Sequence, residues 1–307
     1  MRRDQVERRL KLRELRILLA VVKAGSMAKG AAELAISQPN VSKAISDLEH
    51  AFGVRLLDRG PHGVEPTRYG LAVIRRGMVV FDELRRTVED VAFLADPTSG
   101  VLRLGCSDFA AGPVGLVIDR MQRQYPGIAF EVVSAGAAEL HRELEARHID
   151  LFVAIYEESL LKEEFDAEIL YDDPLIAVAD AQHPLTRRRT IEFSELVGEA
   201  WAMPPANTPT GNYVRDAFQK NGLALPPTIV STYSTTLRHN LVATARYITV
   251  LPKSMFEVMA KRHSLKALPV HLPARRRTVA IVFLKNRTLS PVAHLFIETI
   301  RGQIRPS

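Results

Sequence analysis

The sequence predicts an α/β chain in which an all-α-dominated N-terminal domain and a long linker helix precede a two-lobed, doubly wound α/β region. Three observations carry this. Apolar residues recur at helical spacing from Leu12 to Phe52 and again from Leu71 to Ala95. Strand-like and helix-like segments alternate from Val101 onward. Between the two regimes, Asp96-Pro97-Thr98-Ser99-Gly100 supplies turn chemistry. At 307 residues the chain exceeds one ordinary core, and 47% hydrophobic with 25% charged residues is globular composition.

Leu12, Leu15, Leu18, Leu19 and Val22 mark the first helix, which Gly25 closes. Ser26 is placed to cap a short second helix, Met27–Leu34, whose Ala28, Ala31 and Ala32 permit close packing. After the turn Ala35–Ser37, a third helix begins with Ser37 as cap and Pro39 in its first turn. Val41, Ile45, Leu48 and Phe52 form its buried stripe, Gln38, Ser42, Lys43 and Ser46 point elsewhere, and Gly53 ends it. Two helices joined by a tight turn, the second with short polar side chains at its exposed start, form a helix-turn-helix, a device for reading the major groove. From Arg55 to Thr67, Gly60, Pro61, Gly63 and Pro66 punctuate two β-prone pieces that read as a wing, giving a winged helix-turn-helix over residues 8–67.

Residues 68–96 read as a linker helix. Leu71, Ile74, Met78, Phe81, Leu84, Val88, Val91 and Ala95 form a seam that predicts a coiled-coil-like contact with a second copy, the alternative being packing on its own domain. Residues 97–100 read as a hinge and 101–304 as the two-lobed α/β region. In its first lobe, about 101–169 and 274–304, strands Val101–Cys106, Ile128–Val133 and Ile149–Ile155 alternate with helices Val114–Gln124 and Ala137–Arg147, implying parallel βαβ units. The second lobe, about 170–273, has strands near Leu175–Ala179, Thr228–Ser231 and Tyr247–Leu251, with helices near Asn212–Lys220, Thr235–Ala243 and Lys253–Lys261. Thr278–Leu284 and Pro291–Ile300, a strand and a helix, return to the first lobe.

The formal charge is +6, and residues 1–70 hold thirteen Lys/Arg against eight Asp/Glu, so most of the excess lies where the helix-turn-helix is expected. Arg16 and Lys23 cut the apolar run Ile17–Val22 too short for an export signal, and no apolar stretch reaches the roughly 18 residues of a membrane span. The single Cys106 excludes an intrachain disulfide and fits a cytoplasmic setting; its side chain reads as a small buried apolar residue. These points oppose a solute-binding protein of a transport system. Against an enzyme, no G-x-G-x-x-G, G-x-S-x-G, H-E-x-x-H or Walker pattern is present. The nine His are scattered, and His141 and His148 have no third partner, so neither metal nor cofactor is expected.

Ala31-Ala-Glu-Leu-Ala-Ile-Ser-Gln-Pro-Asn-Val-Ser-Lys-Ala-Ile-Ser-Asp-Leu-Glu49, then Gly53-Val-Arg-Leu-Leu-Asp-Arg59 and Glu65-Pro-Thr-Arg-Tyr-Gly70, closely resemble the DNA-binding half of LysR-type transcriptional regulators. Weaker resemblance continues in Arg103-Leu-Gly-Cys, Tyr125-Pro-Gly, Ile149-Asp-Leu, Asp173-Pro-Leu, His183-Pro-Leu and Leu251-Pro. The resemblance implies a winged helix-turn-helix, a dimerising linker helix and a periplasmic-binding-protein-like effector domain, assembled as a homodimer or homotetramer. Its implied partners are double-stranded promoter DNA, a small-molecule effector and RNA polymerase. Two departures stand out: Ala245-Arg-Tyr-Ile248 replaces the usual Gly-rich turn, and Leu57 stands where the family often has Phe.

Among DNA-site candidates, Gln38 can bond adenine bidentately, Pro39 can touch a thymine methyl, Ser42 can donate or accept, and Ser37 lies beside them. Lys43, Arg59 and the helix start at Ser26 suit phosphates. By resemblance, Thr67 also lies near DNA. Arg2, Arg3, Arg8 and Arg9 read as a solvated tail. Effector candidates come from strand-end segments rich in hydroxyls: Ser107, Asp108, Phe109, Ser134, Thr208, Thr210, Tyr233 and Ser234, each hydroxyl having an ordinary capping role as its alternative. Helix starts there favour a small carboxylate, whereas Asp108 opposes an anion and suits the hydroxyls of a sugar-like ligand. Arg187–Arg189 and Arg275–Arg277 read as solvated loops.

Overall fold

In a computed structural model, residues 10–60, 63–156, 158–260, 263–272 and 277–303 are described. Arg2, Arg3, Arg8 and Arg9, Pro61, Lys261 and Arg275 lie outside them. The chain forms two compact units, Met1–Val91 and Ala92–Ser307.

The first unit begins with α1 (Leu12–Ala24), α2 (Met27–Glu33) and α3 (Gln38–Phe52). Gly25 and Gly53 close α1 and α3 in left-handed conformations that an L side chain adopts at a cost. Leu15, Leu18, Val21, Val41, Ile45 and Leu48 are buried together, while Phe52 is only partly buried at the edge of that core. The turn before α3 places Ala35 at φ 52°, an uncommon conformation for a non-Gly residue. β1 (Leu57–Gly60) and β2 (Gly63–Pro66) pair antiparallel as the wing. Leu57, in the place where relatives often carry Phe, is buried in the core.

Helix α4 spans Arg68–Ala95, and the two units divide within it. Its apolar seam splits. Ile74 and Phe81 pack on the core of the first unit, and Gly77 lies against Leu15. Leu71, Leu84, Val88, Val91 and Leu94 are exposed, Leu94 by 82%. Beyond α4, Asp96 accepts from the Thr98 N–H at 3.0 Å and the Thr98 hydroxyl at 2.6 Å, which holds its carboxyl below the usual range.

The second unit contains two five-stranded sheets. β3 (Ser99–Cys106), β4 (Gly127–Ser134), β5 (Leu151–Ile155), β6 (Phe165–Asp172) and β12 (Thr278–Leu284) form one in the order β4-β3-β5-β12-β6. β7 (Leu175–Asp180), β8 (Ala200–Met203), β9 (Ile229–Ser231), β10 (Tyr247–Pro252) and β11 (Leu265–Ala267) form the other, in the order β11-β7-β10-β8-β9. The expected parallel βαβ units occupy only part of each sheet. β4-β3-β5 and β9-β8-β10 are parallel, but β12 runs antiparallel to β5 and β6, and β7 antiparallel to β10 and β11. The chain crosses between sheets twice, and antiparallel neighbours are what those crossings produce.

Helices cover the sheets. α5 (Ala111–Gln124) and α10 (Pro291–Gln303) bury Val117, Met121, Phe296 and Ile300 on one face of the first sheet, and α6 (Ala137–Glu145) buries Leu140 and Leu144 on the other. In the second lobe, α7 (Pro209–Lys220) packs Phe218 edge-on to the fully buried Trp201. α8 (Thr235–Val242) and α9 (Lys253–Met259) complete it. Before β10, Ala245 takes φ 58°, so the backbone conformation a Gly favours is kept although the side chain is Ala.

Candidate functional site

The start of α3 presents Ser37, Gln38, Pro39 and Lys43 to solvent, with Ser42 half-buried beside them and Val41, Ala44 and Ile45 turned into the core. Positions 41, 45 and 48 share one face of the 3.6-residue period, and 42 and 43 step round the helix away from it; Gln38, seven residues before Ile45 and close to the same angle, is exposed because it opens the helix. Arg59 is exposed on the wing. The expected side-chain capping by Ser26 and Ser37 is corrected. Both have extended backbone at their helix starts, but neither hydroxyl makes the capping bond, so the first-turn N–H groups are not satisfied that way. Thr67 instead makes a cap. Its hydroxyl donates to the Arg55 carbonyl at 2.8 Å and accepts from the Gly70 N–H at 3.0 Å, and it ties the wing to α4.

The second unit holds a cavity of about 320 Å3 between its two sheets. Of the sequence candidates, Ser107, Asp108, Phe109, Ser134, Thr208, Thr210 and Tyr233 line it. Ser234 does not. Its side chain accepts from the Leu237 N–H and caps α8, and the next residue, Thr235, faces the cavity. Thr208 likewise spends its hydroxyl locally, accepting from Gly211 N–H at 3.0 Å and donating to the Pro205 carbonyl at 2.6 Å. Tyr233, exposed at the rim, pairs with Asn207. The Ser107 hydroxyl is buried with no partner among the described residues.

Two arginines that the sequence reading did not place here dominate the electrostatics. Arg277, expected in a solvated loop, is only 6% exposed and lines the cavity; Arg238 is 2% exposed and lines it too. Arg277 is buried because it lies on the crossing segment just before β12, where its carbonyl accepts from the Asp173 N–H at 2.7 Å. The guanidinium carbons stand 5.6 Å (Arg277) and 5.7 Å (Arg238) from the centroid of Phe109. Among the described residues, Nη1 and Nη2 of Arg277 and Nε and Nη1 of Arg238 have no hydrogen-bond partner. Burial drives Arg277 down to about 10 against the opposing pull of Asp173, and lowers Arg238 against the pull of Asp108. Buried donors of this kind are costly unless something accepts from them.

Cys106, beside this cavity, is buried, and desolvation pushes its thiol up to about 12, so it stays protonated. Among the described residues no group of three or more His, Cys, Asp or Glu is gathered to hold a metal, and no helix is long and apolar enough to cross a membrane.

The profile of a bacterial regulatory helix-turn-helix protein, lysR family, matches residues 12–71, and that of the LysR substrate binding domain matches residues 95–305. The chain belongs to the LysR family of transcriptional regulators. It is 29% identical to the SDS degradation transcriptional activation protein of a Pseudomonas species over 95% of each chain. It is 27% identical to the regulator GbpR of Azospirillum brasilense over 96% of this chain and 86% of that one. A full-length OxyR variant from Pseudomonas aeruginosa shares the fold with a TM-score of 0.65 at 21% identity, covering 96% of this chain and 95% of the other. Full-length CbnR, solved with its target DNA, aligns with a TM-score of 0.54 at 19% identity over 96% and 100%. As a LysR-family regulator, the protein has DNA as the partner of its first unit and a small molecule as that of its second.

Proposed function

We propose that this LysR-family regulator reads its promoter sites with Gln38, Pro39 and Ser42, with Ser37 beside them, while Lys43, Arg59 and the α2 start at Ser26 hold phosphates. The small-molecule effector is a carboxylate bound in the cavity between the two sheets. The observation that carries the effector reading is that two residues lining that cavity, Arg238 and Arg277, have buried guanidinium groups with N–H donors that lack partners among the described residues. An anion accepting from both supplies the counter-charge and the hydrogen bonds that burial has removed. Phe109, Ile155, Pro204 and Pro209 supply apolar surface for the rest of the molecule. A neutral sugar would add no counter-charge to the partial compensation that Asp108 and Asp173 give.

The exposed residues Leu84, Val88, Val91 and Leu94 of α4 support pairing of two copies into a homodimer, with a homotetramer as the further assembly. The protein acts in the cytoplasm, by controlling transcription rather than by catalysis, and its output passes to RNA polymerase. Effector binding shifts the relative pose of the two lobes and thereby the spacing of paired DNA heads.

Genome-wide mapping of bound DNA supplies the site, and gel-shift titration tests the readers. Gln38→Ala costs about 1–3 kcal/mol at the specific site and leaves nonspecific binding similar. Lys43→Ala weakens all sequences and reduces the salt slope by about 0.9. Unchanged specificity in Gln38→Ala removes Gln38 from the reading set, and a footprint unaltered by every small carboxylate tested removes the effector reading.

A further inference from the structure

We propose that the effector carries a hydrogen-bond donor on the carbon next to its carboxyl group, as in a 2-hydroxy- or 2-ammonio-carboxylate, and that Asp108 is the residue that demands it. The proposal rests on the carboxylate reading of the same cavity.

Asp108 follows β3 in a single helical turn and faces a cavity whose other charged lining groups are Arg238 and Arg277. Its Oδ1 accepts from the Ser134 hydroxyl at 2.8 Å, and its Oδ2 accepts from the Thr235 hydroxyl at 3.2 Å. Thr235 belongs to the second lobe and itself accepts from Arg238 Nη2 at 3.0 Å. A relay therefore runs across the cleft from guanidinium through hydroxyl to carboxylate. The end groups stand two hydrogen bonds apart, at most about 6 Å.

A carboxylate has roughly four acceptor positions, and Ser134 and Thr235 use two of those on Asp108. The remaining capacity lies on a cavity-lining group that bears a negative charge. A ligand carboxylate seated on the arginines brings a like charge close to it. An unsubstituted acid suffers that repulsion and leaves those acceptor sites to water. A hydroxyl or ammonium on the adjacent carbon lies about 3 Å from its own carboxylate oxygens, so a single small molecule can reach both ends of a gap of this size. It turns the repelling group into an acceptor. A donor several carbons away overshoots Asp108 and competes with the apolar body for Phe109 and Ile155. The arginines therefore select for the carboxylate, and Asp108 selects among carboxylates.

Calorimetric titration of the full-length protein tests this with two matched series: 3-phenylpropionate, 3-phenyllactate and phenylalanine; butyrate, 2-hydroxybutyrate and 2-aminobutyrate. In at least one series a 2-substituted member binds about tenfold or more tighter than its unsubstituted parent, the size expected for a hydrogen bond to a charged group. Which substituted member wins identifies the donor as hydroxyl or ammonium. In Asp108→Ala the gap falls below about threefold, with the parent acid bound as well as before or better. Asp108→Asn removes the charge and keeps an acceptor for only one of the Ser134 and Thr235 hydroxyls, its NH2 replacing the other oxygen, and thermal unfolding without ligand verifies that both variants fold. Equal binding of parent and substituted acids, or a gap that survives Asp108→Ala, overturns the proposal. If parent and substituted acids bind equally and Arg238→Met abolishes that binding, only the role of Asp108 is lost. If no member of either series binds at about 10 mM, a concentration at which even a weak millimolar ligand registers, or if Arg238→Met binds them as well as before, the carboxylate reading is lost with it.

Discussion

Arg238→Met separates what this side chain costs the fold from what it does for the ligand. Arg238 is 2% exposed, and its Nε and Nη1 lack partners among the described residues. Each buried unsatisfied donor costs about 1–3 kcal/mol, more when charged. Against this stand one bond to Thr235 at 3.0 Å and the contact with the Phe109 ring at 5.7 Å, which together return about 2–3 kcal/mol. Met has similar length and no donors, and it fills an irregular apolar space well. The balance favours the variant by about 1–2 kcal/mol in ligand-free buffer, a rise of roughly 2–8 °C in the transition of the second unit at about 2–4 °C per kcal/mol. Carboxylate affinity moves the opposite way and falls by about 10–100-fold with the loss of a charge-assisted hydrogen bond. Calorimetry with and without ligand reads both quantities. A ligand-free transition lowered by more than about 3 °C refutes the reasoning, because Arg238 would then be held by compensation within the fold and not be poised for an anion.

Three further outcomes follow from the same geometry. Gly70→Ala places a methyl against the Leu56 carbonyl oxygen, a backbone group that cannot step aside, and lowers the stability of the first unit by about 1–3 kcal/mol or more in urea unfolding. Val88→Asp, at a position 64% exposed, weakens self-association in analytical ultracentrifugation while leaving the unfolding of each unit within about 0.5 kcal/mol; an unchanged oligomer removes this face of α4 from the interface. His239 is lowered to about 4, first by burial and then by Arg238 and His263. Between about pH 6.5 and 4 the unfolded chain therefore takes up a proton that the folded unit refuses. Stability is lost as pH falls through that window, and His239→Gln flattens the loss; a wild-type profile flat from pH 7 to 4 contradicts the assignment.

The first unit is legible residue by residue because its signals are local. Val41, Ile45 and Leu48 state the buried face of α3, Ser42 and Lys43 step round the helix away from it, and Gln38 stands free because it opens the helix. The α4 boundaries follow from Thr67 and the turn at 96–100. Less of the second unit can be read this way. β6 is absent from the strands expected of the sequence although Phe165, Ala167, Ile169 and Tyr171 repeat with a period of two, and β8 and β11 are short enough to be lost between turns. Antiparallel pairing of β12 with β5 and β6 depends on where the chain crosses between sheets, and no local pattern records that.

The effector cavity divides along the same line. Its hydroxyl-rich rim was readable from strand ends, but its cations were not. A charged residue belongs at the surface by default, and nothing in Arg275-Arg276-Arg277 distinguishes the last of the three. Arg238 did leave a trace: a cation in the first turn of a helix stands against the helix dipole, a placement that invites a reason. Local periodicity and composition thus determined the DNA-reading head, the long helix and the alternation of strands and helices, because those properties reside in neighbouring residues. Tertiary structure alone decided that the exposed Asp108 and the buried Arg238 and Arg277 line one cavity, because the desolvation and mutual field of charges depend on distances the chain sets only after folding.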